Sequence, residues 1–584
     1  MCGFIGVANK IEENIANKIY NGLHELQYRG YDACGMCLID TNQKFVTFKT
    51  IGSIENLQYD NLKFKCAIGH TRWATHGRNT LNNTHPLIYK NLAVVHNGII
   101  ENADELRKLT PNFNYVSETD TETILSVSST LNSSVIENWL YSLYSSLKGS
   151  FACLLLDLNH SDKIFFLKKG HTQLTVLKSK TEIMVASDPS AFQKTGEILH
   201  IASNRYGWID ATNNTIHIFP ESLAATSHFI YNKTEKHQES WFLQEFYSQP
   251  KMLQNAFQKL RQIKFPVADK VELVGCGSSF LAAETSKFWF DISTQTHIAT
   301  MYKSESMQNK TVTGIISQSG ETADIISMLH KIPNHTLGFI NKESSTIARS
   351  VSQIIPTFMQ NEMSVASTKA TSGQMLSLFI WSVIINNFKQ KFANDKTELP
   401  NISLNEMNID CENLINNLTN TQLDYINSIN FDSIIEVLSN LNSLFLIANT
   451  QLHSIAKEGA LKIKELSYIH AEGYHYSELK HGSLALIDSS QFVIALAPND
   501  CDIQKMHSSI QEIMARNGNV IVFTDVPKNF QYTYATFEVP FMQNKALLPF
   551  LYILPMQFLA YSLAKARQCN IDRPRNLAKS VTVG

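Results

Sequence analysis

The second residue of the chain is a cysteine, and its position gives the side chain a chemical use beyond packing. Removal of the initiator methionine, which a small second residue permits, leaves the Cys2 thiol and a free α-amine on one residue. An α-amine titrates near ~8 and a thiol near ~8.5, so the amine can take the thiol proton at neutral pH, directly or through water. The thiolate then attacks an amide carbonyl, forms a thioester and releases ammonia. A lone cysteine rarely signifies chemistry, so this interpretation depends on partners elsewhere in the chain.

Three segments contain the partners that attack on an amino-acid amide requires. The segment HTRWATHG (70–77) contains Arg72, whose planar guanidinium suits an α-carboxylate. Asn97 and Gly98 supply a side-chain amide and a backbone N–H, the two donors of an oxyanion hole. Asp120 offers a carboxylate to an α-ammonium group. Each segment alone is compatible with an ordinary turn, and their coexistence is what favours amide hydrolysis.

Hydroxyl-bearing residues cluster at two strand-to-helix turns in the second half of the chain. Backbone N–H groups, hydroxyls and the positive end of a helix hold phosphate at such turns, and glycine permits a close approach. An open parallel sheet binds ligands where its strands end. Serines that only cap helices remain an alternative. The candidate phosphate ligands are Ser278, Ser279, Ser317, Gln318, Ser319 and Thr322, with Gly277 and Gly320 beside them.

Titratable side chains with an apolar helical spacing follow in the last third of the chain. Glu458, Lys462 and Glu465 are spaced i, i+4 and i+7, which places them on one helix face. A solvated row of ion pairs is one interpretation. Moving a proton between adjacent sugar carbons requires a carboxylate and a ring-opening acid or base, and Glu465 and His481 fit these roles. Lys579 is a candidate for an imine with an open-chain sugar, although such chain ends are often frayed.

The elements that must position these residues divide the chain into two halves. Short alternating apolar runs up to about residue 220 predict mostly antiparallel strands over 2–220. A polar stretch without a period predicts a linker over 221–245. After it, apolar strands, small-residue turns and amphipathic helices alternate, which is typical of parallel α/β layers.

A weak internal repeat subdivides the second half. LFLIANT (444–450) and its helix echo VELVGCGSS (271–279), and FVIALAPND (492–500) echoes GIISQSG (314–320). We therefore predict two similar subdomains, 261–400 and 433–574, followed by a tail over 575–584. Because only the first copy keeps glycine and serine at its turns, phosphate binding is expected there alone.

Composition excludes several classes of protein. The 584 residues exceed one hydrophobic core, and 50 basic against 52 acidic residues leave a formal charge of −2 with no basic stripe for nucleic acid. The chain starts without the features of a secretory signal, so we expect a cytoplasmic protein with reduced cysteines. The most apolar stretch, 546–564, contains Pro549, Pro555 and Gln557, which favours a buried helix over a membrane span. No membrane or nucleic-acid partner is expected.

The N-terminal segments resemble the N-terminal-nucleophile glutamine amidotransferases. The resemblance is carried by CGFIG (2–6), YRGYD (28–32), HTRWATHG (70–77), HP (85–86), VHNG (95–98) and SETD (117–120). It implies a four-layer αββα sandwich in which Cys2 is nucleophile and base and Asn97 and Gly98 form the oxyanion hole. The glutamine-binding residues it implies are Arg72, Trp73, Thr75, His76 and Asp120, with Arg29 and His85 in supporting roles.

Together the two halves resemble the isomerising glutamine:fructose-6-phosphate aminotransferase family along essentially the whole chain. SQSGETAD (317–324), VASTK (365–369), KIKE (462–465), ELKHG (478–482) and RNLAKSVTV (575–583) carry this part of the resemblance. It implies a multidomain α/β fold, the αββα sandwich being followed by two sugar isomerase (SIS) subdomains, each a three-layer αβα unit with a parallel sheet. The sugar-phosphate ligands it implies are Cys276, Gly277, Ser278, Ser279, Ser317, Gln318, Ser319, Thr322, Val365 and Ser367, with Glu458 and Lys462 in support.

The same resemblance implies a reaction. L-glutamine and D-fructose 6-phosphate are the expected substrates, with Lys579 forming the Schiff base, Glu465 moving the proton and His481 opening the ring. A homodimer is expected, in which His481 reaches the neighbouring subunit's site, and Trp73 and the tail would gate and seal an internal ammonia channel. No cofactor or metal is expected. Two alternatives stay open: an amidotransferase for another phosphosugar, and a sugar-phosphate sensor without turnover.

Overall fold

The protein divides into two compact units. The structure, a computed structural model, describes residues 2–60, 63–74, 76–131, 133–221, 225–231, 235–303, 310–333, 335–391 and 400–581, without the Glu12 side chain. The first unit comprises Met1–Thr234 together with Ala578–Gly584, and the second comprises Glu235–Leu577.

Strands dominate the first unit, as the short apolar runs predict, and central ones such as Ala33–Ile39 are buried along their whole length. Its helices are α1 (Ile15–Leu26), α2 (Ala103–Leu109), α3 (Glu122–Thr130) and α4 (Ile136–Ser146). Its strands are β1 (Gly3–Glu13), β2 (Ala33–Ile39), β3 (Phe45–Ile51), β4 (Phe64–Arg72), β5 (Leu87–Tyr89), β6 (Leu92–Ile100), β7 (Gly149–Asp157), β8 (Lys163–Lys169), β9 (Thr175–Lys178), β10 (Glu182–Ala186), β11 (Gly196–His200), β12 (Arg205–Asp210), β13 (Thr215–Phe219) and β14 (Ala225–Phe229).

Two antiparallel sheets form the centre of this unit. Within the described residues, eight strands pair in the order β14-β11-β9-β10-β1-β4-β2-β3 and six in the order β13-β12-β8-β7-β6-β5. Apolar side chains such as Phe4 and Leu154 fill the space between the sheets. α1 covers the outer face of the first sheet through residues such as Leu23, and α3 and α4 cover the second through residues such as Leu140. The layers are therefore α, β, β and α, which confirms the predicted sandwich.

The connection between the units is shorter than the predicted linker 221–245. Ala225–Phe229 is a strand that pairs with Gly196–His200 at the edge of the first sheet, and Trp241 already begins a helix. β14 is an edge strand with several exposed side chains, so its sequence lacks the apolar alternation of an inner strand. Ser240 caps the helix by accepting a hydrogen bond from the Leu243 N–H at 3.1 Å.

The second unit alternates strands and helices. Its helices are α5 (Trp241–Leu260), α6 (Ser278–Ser286), α7 (Ala323–Met328), α8 (Lys369–Lys391), α9 (Glu412–Ser428), α10 (Asp432–Ser439), α11 (His453–Ser467), α12 (Ile503–Met514) and α13 (Leu548–Ala566). Its strands are β15 (Phe265–Pro266), β16 (Lys270–Gly275), β17 (Ser293–Ile298), β18 (Thr311–Ser317), β19 (His335–Ile340), β20 (Gln353–Pro356), β21 (Asn401–Ile402), β22 (Ser443–Ala448), β23 (His470–His475), β24 (Phe492–Leu496), β25 (Asn519–Thr524) and β26 (Ala535–Glu538).

Two five-stranded parallel sheets carry the predicted repeat. In the part of the chain that the structure describes, their orders are β17-β16-β18-β19-β20 and β23-β22-β24-β25-β26, so the two copies share one topology. In the first sheet the strand order reverses between β16 and β18. In the second sheet it reverses between the corresponding strands, β22 and β24. Such a reversal opens a crevice at the carboxyl ends of the strands.

A single large apolar core joins the two copies. It includes side chains of α5, α8, α11 and α13, which pack between the sheets, while α7 and α12 cover the outer faces. One segment, Lys545–Ala566, is long and apolar enough to cross a membrane by length and composition, and 83% of its most apolar part is buried inside the protein. Tyr552, Met556 and their neighbours lie in the shared core, as predicted for a helix buried between sheet layers.

Candidate active sites

The Cys2 thiol lies directly beside the residue that follows β4. Its Sγ accepts a hydrogen bond from the Trp73 N–H at 3.3 Å and lies 3.4 Å from the Trp73 carbonyl. Pairing of Gly3 with Thr71 in the β1–β4 ladder holds the two segments in this register. Burial raises the pKa of the Cys2 thiol, while the Trp73 amide and the Arg72 guanidinium oppose that rise. A neighbouring base is therefore needed to remove the proton at neutral pH.

Asn97 and Gly98 lie on β6, where they pair with Ala152 and Phe151 of β7. Gly98 has a φ of +113°, and a Cβ added there would lie 2.2 Å from the Ser150 carbonyl oxygen. Only glycine fits this backbone conformation at such close approach. The Asn97 side chain is buried, and its Oδ1 has no hydrogen-bond partner among the described residues. The pair thus has the rigid backbone and the buried amide that the predicted oxyanion hole requires.

Three buried histidines, His70, His85 and His96, form a cluster, and His96 directly precedes Asn97 in the chain. His70 Nε2 lies 3.0 Å from the His96 carbonyl and 3.1 Å from His85 Nδ1, and His96 Nδ1 lies 2.9 Å from Thr121 Oγ1. Burial lowers the pKa of all three and that of His70 to about 3. The carbonyl only accepts, so His70 carries its proton on Nε2. The sequence identified His85 as supporting but missed His70, whose partners are distant in the chain.

The Arg72 guanidinium, which was expected to bind the α-carboxylate of glutamine, instead donates hydrogen bonds to backbone carbonyls of this chain. Its Nη atoms donate to the carbonyls of His76, Gly77 and Arg78 at 2.8, 3.1 and 3.1 Å. Arg72 therefore orders the loop that follows β4. His76 is exposed in this loop, and Thr75, also predicted to bind glutamine, lies outside the described residues. The Trp73 ring packs edge-on against Tyr31 with ring centroids 6.0 Å apart.

Asp120 lies close to the end of β6, the strand that carries Asn97 and Gly98. Its Oδ2 accepts the Ile100 N–H at 2.8 Å, and its Oδ1 lies 3.9 Å from His96 Nδ1. Both contacts orient the carboxylate beside the end of β6. The predicted ammonium ligand is thus held in the same neighbourhood as Asn97 and Gly98.

Arg29 belongs to a buried network of hydrogen bonds. Its Nη2 donates to Asp188 Oδ2 at 3.1 Å and to Gln173 Oε1 at 3.2 Å, and the ion pair is almost fully buried. The Tyr28 hydroxyl donates to Asp188 at 2.7 Å and accepts from Arg29 Nε at 3.0 Å. This network fixes the YRGYD turn.

The first hydroxyl-rich turn follows β16 and begins α6. Cys276 is partly buried there, and Gly277 has a φ of +54° with open space where a Cβ would lie. Ser278 and Ser279 are the first residues of α6. Ser279 Oγ accepts from Gln374 Nε2 of α8 at 3.0 Å. Their backbone N–H groups lie at the positive end of a helix, the position that favours an anion.

The second hydroxyl-rich turn follows β18, the neighbouring strand of the same sheet. Ser317 Oγ accepts the Gly320 N–H at 3.0 Å and lies 3.1 Å from Thr322 Oγ1. Ser319 Oγ accepts the Glu321 N–H at 3.1 Å, while Gln318 stays partly exposed. β16 and β18 pair in parallel, so both turns lie at the same sheet edge. The structure thus brings the two predicted turns to the crevice of the first sheet.

The segment before α8 is ordered by a carboxylate that the sequence did not single out. Glu362 is buried and accepts the Thr368 and Ala370 N–H groups at 3.0 Å, and Ser367 Oγ donates to it at 3.2 Å. The Val365 N–H donates to the Asp572 carbonyl at 3.0 Å. Val365 and Ser367 therefore lie in a braced segment. Its signal in the sequence is a glutamate a few residues before a helix start.

The three charged residues predicted to share one helix face lie on α11. Lys462 Nζ lies 3.5 Å from Glu458 Oε1 and forms a closer ion pair with Glu465, which confirms that the three residues share a face. The Ser278 hydroxyl donates to Glu458 at 2.9 Å, so the first hydroxyl-rich turn of the first copy is joined to this helix of the second. Burial raises the pKa of Glu458 to about 7, and its Oε2 has no hydrogen-bond partner among the described residues. Burial by itself lowers the pKa of Lys462, but Glu458 and Glu465 raise it above its ordinary value.

His481 and Lys579 occupy separate segments. His481 is exposed at the end of a short helical turn, Glu478–His481. Lys579 belongs to the first unit, where its backbone N–H donates to the Tyr28 carbonyl at 3.4 Å. The start of the tail lies in the second unit, where the Arg575 N–H donates to the Tyr468 hydroxyl at 2.8 Å just beyond α11. Among the described residues no group of three or more His, Cys, Asp or Glu side chains is arranged to hold a metal ion.

Comparison with known proteins assigns both halves to classes. Residues 70–194 match the glutamine amidotransferase domain family, and residues 437–567 match the SIS domain family. The C-terminal domain of glucosamine-fructose-6-phosphate aminotransferase from Francisella tularensis has a similar structure, with 26% identity, a TM-score of 0.51, and coverage of 59% of this chain and 100% of that one. The protein is thus a glutamine amidotransferase fused to SIS domains.

Full-length relatives narrow this class to one family. Glutamine–fructose-6-phosphate aminotransferase (isomerizing) of Buchnera aphidicola subsp. Baizongia pistaciae is 32% identical, and that of Acinetobacter baylyi is also 32% identical. In both comparisons the match covers 100% of this chain and 100% of the relative. The chain belongs to the glutamine–fructose-6-phosphate aminotransferase (isomerizing) family.

Proposed function

We propose that the chain converts L-glutamine and D-fructose 6-phosphate to L-glutamate and D-glucosamine 6-phosphate. One observation carries the proposal beyond family membership: the hydrogen bond from Ser278 to Glu458 joins a phosphate-binding turn to an acid–base helix. The same chain carries a thiol beside a candidate oxyanion hole. A source of ammonia and a sugar-phosphate site are thereby combined in one polypeptide.

In the first half-reaction, Cys2 attacks the side-chain amide of glutamine. The α-amine exposed by loss of Met1 accepts the thiol proton and returns it to the leaving nitrogen, so that ammonia departs and a thioester remains. Asn97 and the Gly98 N–H stabilise the oxygen that becomes negative during attack. Asp120 binds the α-ammonium group. Water then hydrolyses the thioester and releases glutamate.

Glutamine binding is completed by the loop after β4. Trp73 contacts Cys2 through its backbone, and Arg72 orders the carbonyls of residues 76–78. We propose that glutamine displaces part of this loop so that the Arg72 fork binds the α-carboxylate. Thr75 and His76 belong to the same loop and contribute to the proposed pocket.

In the second half-reaction, the crevice of the first sheet holds the phosphate of fructose 6-phosphate. The ligands are the hydroxyls and backbone N–H groups of the two turns described above. His481 opens the ring, and Lys579 forms a Schiff base with the open-chain ketone at C2. Ammonia replaces the lysine at C2, and Glu465 moves a proton from C1 to C2, which leaves an aldose with an amine. Lys462 positions Glu465 for this transfer, because its ammonium group pairs with that carboxylate.

Reduction with borohydride tests the sugar half directly. Fructose 6-phosphate should be trapped on Lys579 as a secondary amine, which peptide mass spectrometry locates. Lys579→Arg keeps the charge but forms no imine, so the adduct and the synthesis should both disappear. A ketose phosphate other than fructose 6-phosphate that gives the faster trapping and turnover would favour the alternative substrate. Full synthesis by Lys579→Arg would contradict the Schiff-base role, and binding of fructose 6-phosphate by the unaltered chain without any synthesis would favour a sensor.

We also propose a homodimer in the cytoplasm, where phosphorylated sugars are retained. Exposure of His481 supports the idea that it completes the site of a neighbouring subunit. Mixing the inactive variants His481→Ala and Lys579→Arg tests this. Recovery of part of the activity is expected if subunits exchange residues, and no recovery after verified subunit exchange would contradict it.

A further inference from the structure

The second SIS copy has its own crevice at the carboxyl edge of its sheet. Residues 449–451 follow β22, and residues 500–502 lie in the connection after β24. These segments correspond in topology to the two phosphate-binding turns of the first copy, because both sheets have the same strand order. An open α/β sheet binds ligands at this position. The activity proposed above assigns no role to it.

The crevice contains an open cleft of about 870 Å³. This volume suits a small-molecule ligand. Aromatic and aliphatic side chains from the first copy, from α9 and from the connection before it line one wall, and polar side chains from the second copy line the other. The apolar lining includes Phe288, Trp289, Phe379, Val383 and Leu414, and the polar lining includes Asn449, Thr450, Gln451, Asp500, Asp502 and Lys545.

The polar wall differs in charge from a phosphate site. Asn449 donates to the Asp500 carboxylate, and its Oδ1 accepts the Leu452 N–H at 3.0 Å. Asp500 Oδ1 also accepts the Asp502 N–H at 2.9 Å. The Asp500 and Asp502 carboxylates of the turn after β24 repel phosphate but accept hydrogen bonds from hydroxyl and ammonium groups. The side chains at this edge therefore select against the ligand that the first copy binds.

Two buried donors on the cleft walls have no hydrogen-bond partner among the described residues. Trp289 is 6% exposed and its Nε1 is unsatisfied. Lys545 Nζ is also buried without such a partner, and its nearest carboxylate oxygen, on Asp525, lies 3.7 Å away. Unsatisfied buried donors are uncommon, since each costs free energy. A ligand that brings oxygen atoms to these donors would satisfy them.

We propose that this cleft binds a non-phosphorylated sugar, a hexose or hexosamine. Its hydroxyl oxygens accept from Trp289 Nε1 and Lys545 Nζ, and its hydroxyl or ammonium hydrogens donate to Asp500. The apolar face of the sugar ring packs on the aromatic wall, the usual way in which amphipathic ligands use aromatic side chains. The proposal is independent of the catalytic roles assigned above.

Ligand-observed saturation-transfer NMR and calorimetry on the full chain test the proposal. D-glucose and D-glucosamine are the probes, each at millimolar concentration with fructose 6-phosphate at saturation. Saturable binding of at least one sugar is expected under these conditions, because the phosphorylated sugar occupies the first copy. Tighter binding of glucosamine would identify the carboxylates as partners of an ammonium group, whereas equal binding would identify hydroxyl recognition.

Two variants and one control locate the binding. Trp289→Phe keeps an aromatic ring but removes the N–H, so the affinity should fall about two- to tenfold. Val383→Phe narrows the cleft and should reduce binding below detection. Leu423→Phe alters a side chain that is 51% exposed outside the cleft and should bind as the unaltered chain does. Unchanged fructose 6-phosphate binding shows that each variant is folded.

The outcomes that overturn the proposal are equally definite. One is that neither sugar binds. Another is that fructose 6-phosphate displaces the bound sugar, which would place it in the first copy. A third is that Trp289→Phe and Val383→Phe, both folded, bind as Leu423→Phe does. Glucosamine 6-phosphate synthesis is measured separately, so its failure would count against the proposed function alone.

Discussion

Replacement of Gly98 by alanine tests whether the proposed oxyanion strand has the conformation described. The backbone at Gly98 has a φ of +113°, and the new Cβ would lie 2.2 Å from the Ser150 oxygen and 2.6 Å from Phe151 Cα. Both neighbours are backbone atoms of β7, the strand with which Gly98 pairs. The overlap cannot be relieved by a side-chain rotation, so one of the paired strands must shift.

The structure separates two contributions to the cost of this change. A residue in a sparsely populated backbone region costs about 1–3 kcal/mol, and overpacking costs about 1–3 kcal/mol more. Gly52 provides a matched control, because its φ is +90° but the nearest atom to an added Cβ is 3.4 Å away. Gly52→Ala should therefore incur mainly the backbone term. For a unit of this size, 1 kcal/mol lowers the melting temperature by about 2–4 °C.

Calorimetry of the full chain and two activity assays measure the result. Gly98→Ala should lower the melting temperature of the first unit by about 5–20 °C, and Gly52→Ala by about 2–10 °C. A displaced oxyanion donor should reduce glutaminase turnover by about 10²–10³-fold. Synthesis driven by free ammonium salts should be retained. A Gly98→Ala protein that melts no lower than Gly52→Ala and hydrolyses glutamine at the original rate would refute the reasoning.

Three further predictions concern charged side chains. Burial raises the pKa of Glu458 to about 7, so this carboxyl stabilises the fold below its unfolded pKa near 4.5 and the stabilisation is lost as the pH rises through 7. Glu458→Gln should flatten the fall in unfolding free energy between pH 5 and 8, measured by urea titration, and an unchanged slope would contradict this assignment. Arg29→Met should cost about 3–5 kcal/mol because it leaves Asp188 buried without its cation, and Arg29→Met/Asp188→Asn should recover part of that loss in the same assay. Asp572→Ala removes an acceptor of the Phe242 N–H at 3.0 Å, so proteolysis of the tail should accelerate and ammonia-dependent synthesis should fall. Equal cleavage rates would argue against this anchor.

Much of the fold follows from local patterns in the sequence. The αββα sandwich and the two parallel sheets were predictable because long periodic segments fix the type of each element. The shared face of Glu458, Lys462 and Glu465 follows from helical spacing alone. In contrast, the strand Ala225–Phe229 was assigned to a linker, because an edge strand with exposed side chains lacks an apolar alternation.

The candidate sites were less accessible from the sequence, since their decisive contacts are long-range. Glu362 was missed because a glutamate a few residues before a helix start is a weak signal, and its capping of α8 depends on how the intervening loop folds. The contacts between Arg72 and backbone carbonyls were also not predicted. They depend on the following loop folding back onto the guanidinium, where its carbonyls take the place of a substrate carboxylate. The Ser278–Glu458 hydrogen bond depends on how two subdomains pack. Chemistry-bearing residue types were therefore predictable, whereas their partners were not.

Transfer of labelled nitrogen tests the central claim most directly. The chain is supplied with fructose 6-phosphate, glutamine labelled with ¹⁵N at the amide, and excess unlabelled ammonium. If Cys2 releases ammonia that reaches the sugar within the same protein, glucosamine 6-phosphate should carry the label, and Cys2→Ala should make only unlabelled product. Product that carries the isotope ratio of the bulk ammonium, or labelled product from Cys2→Ala, would contradict the account.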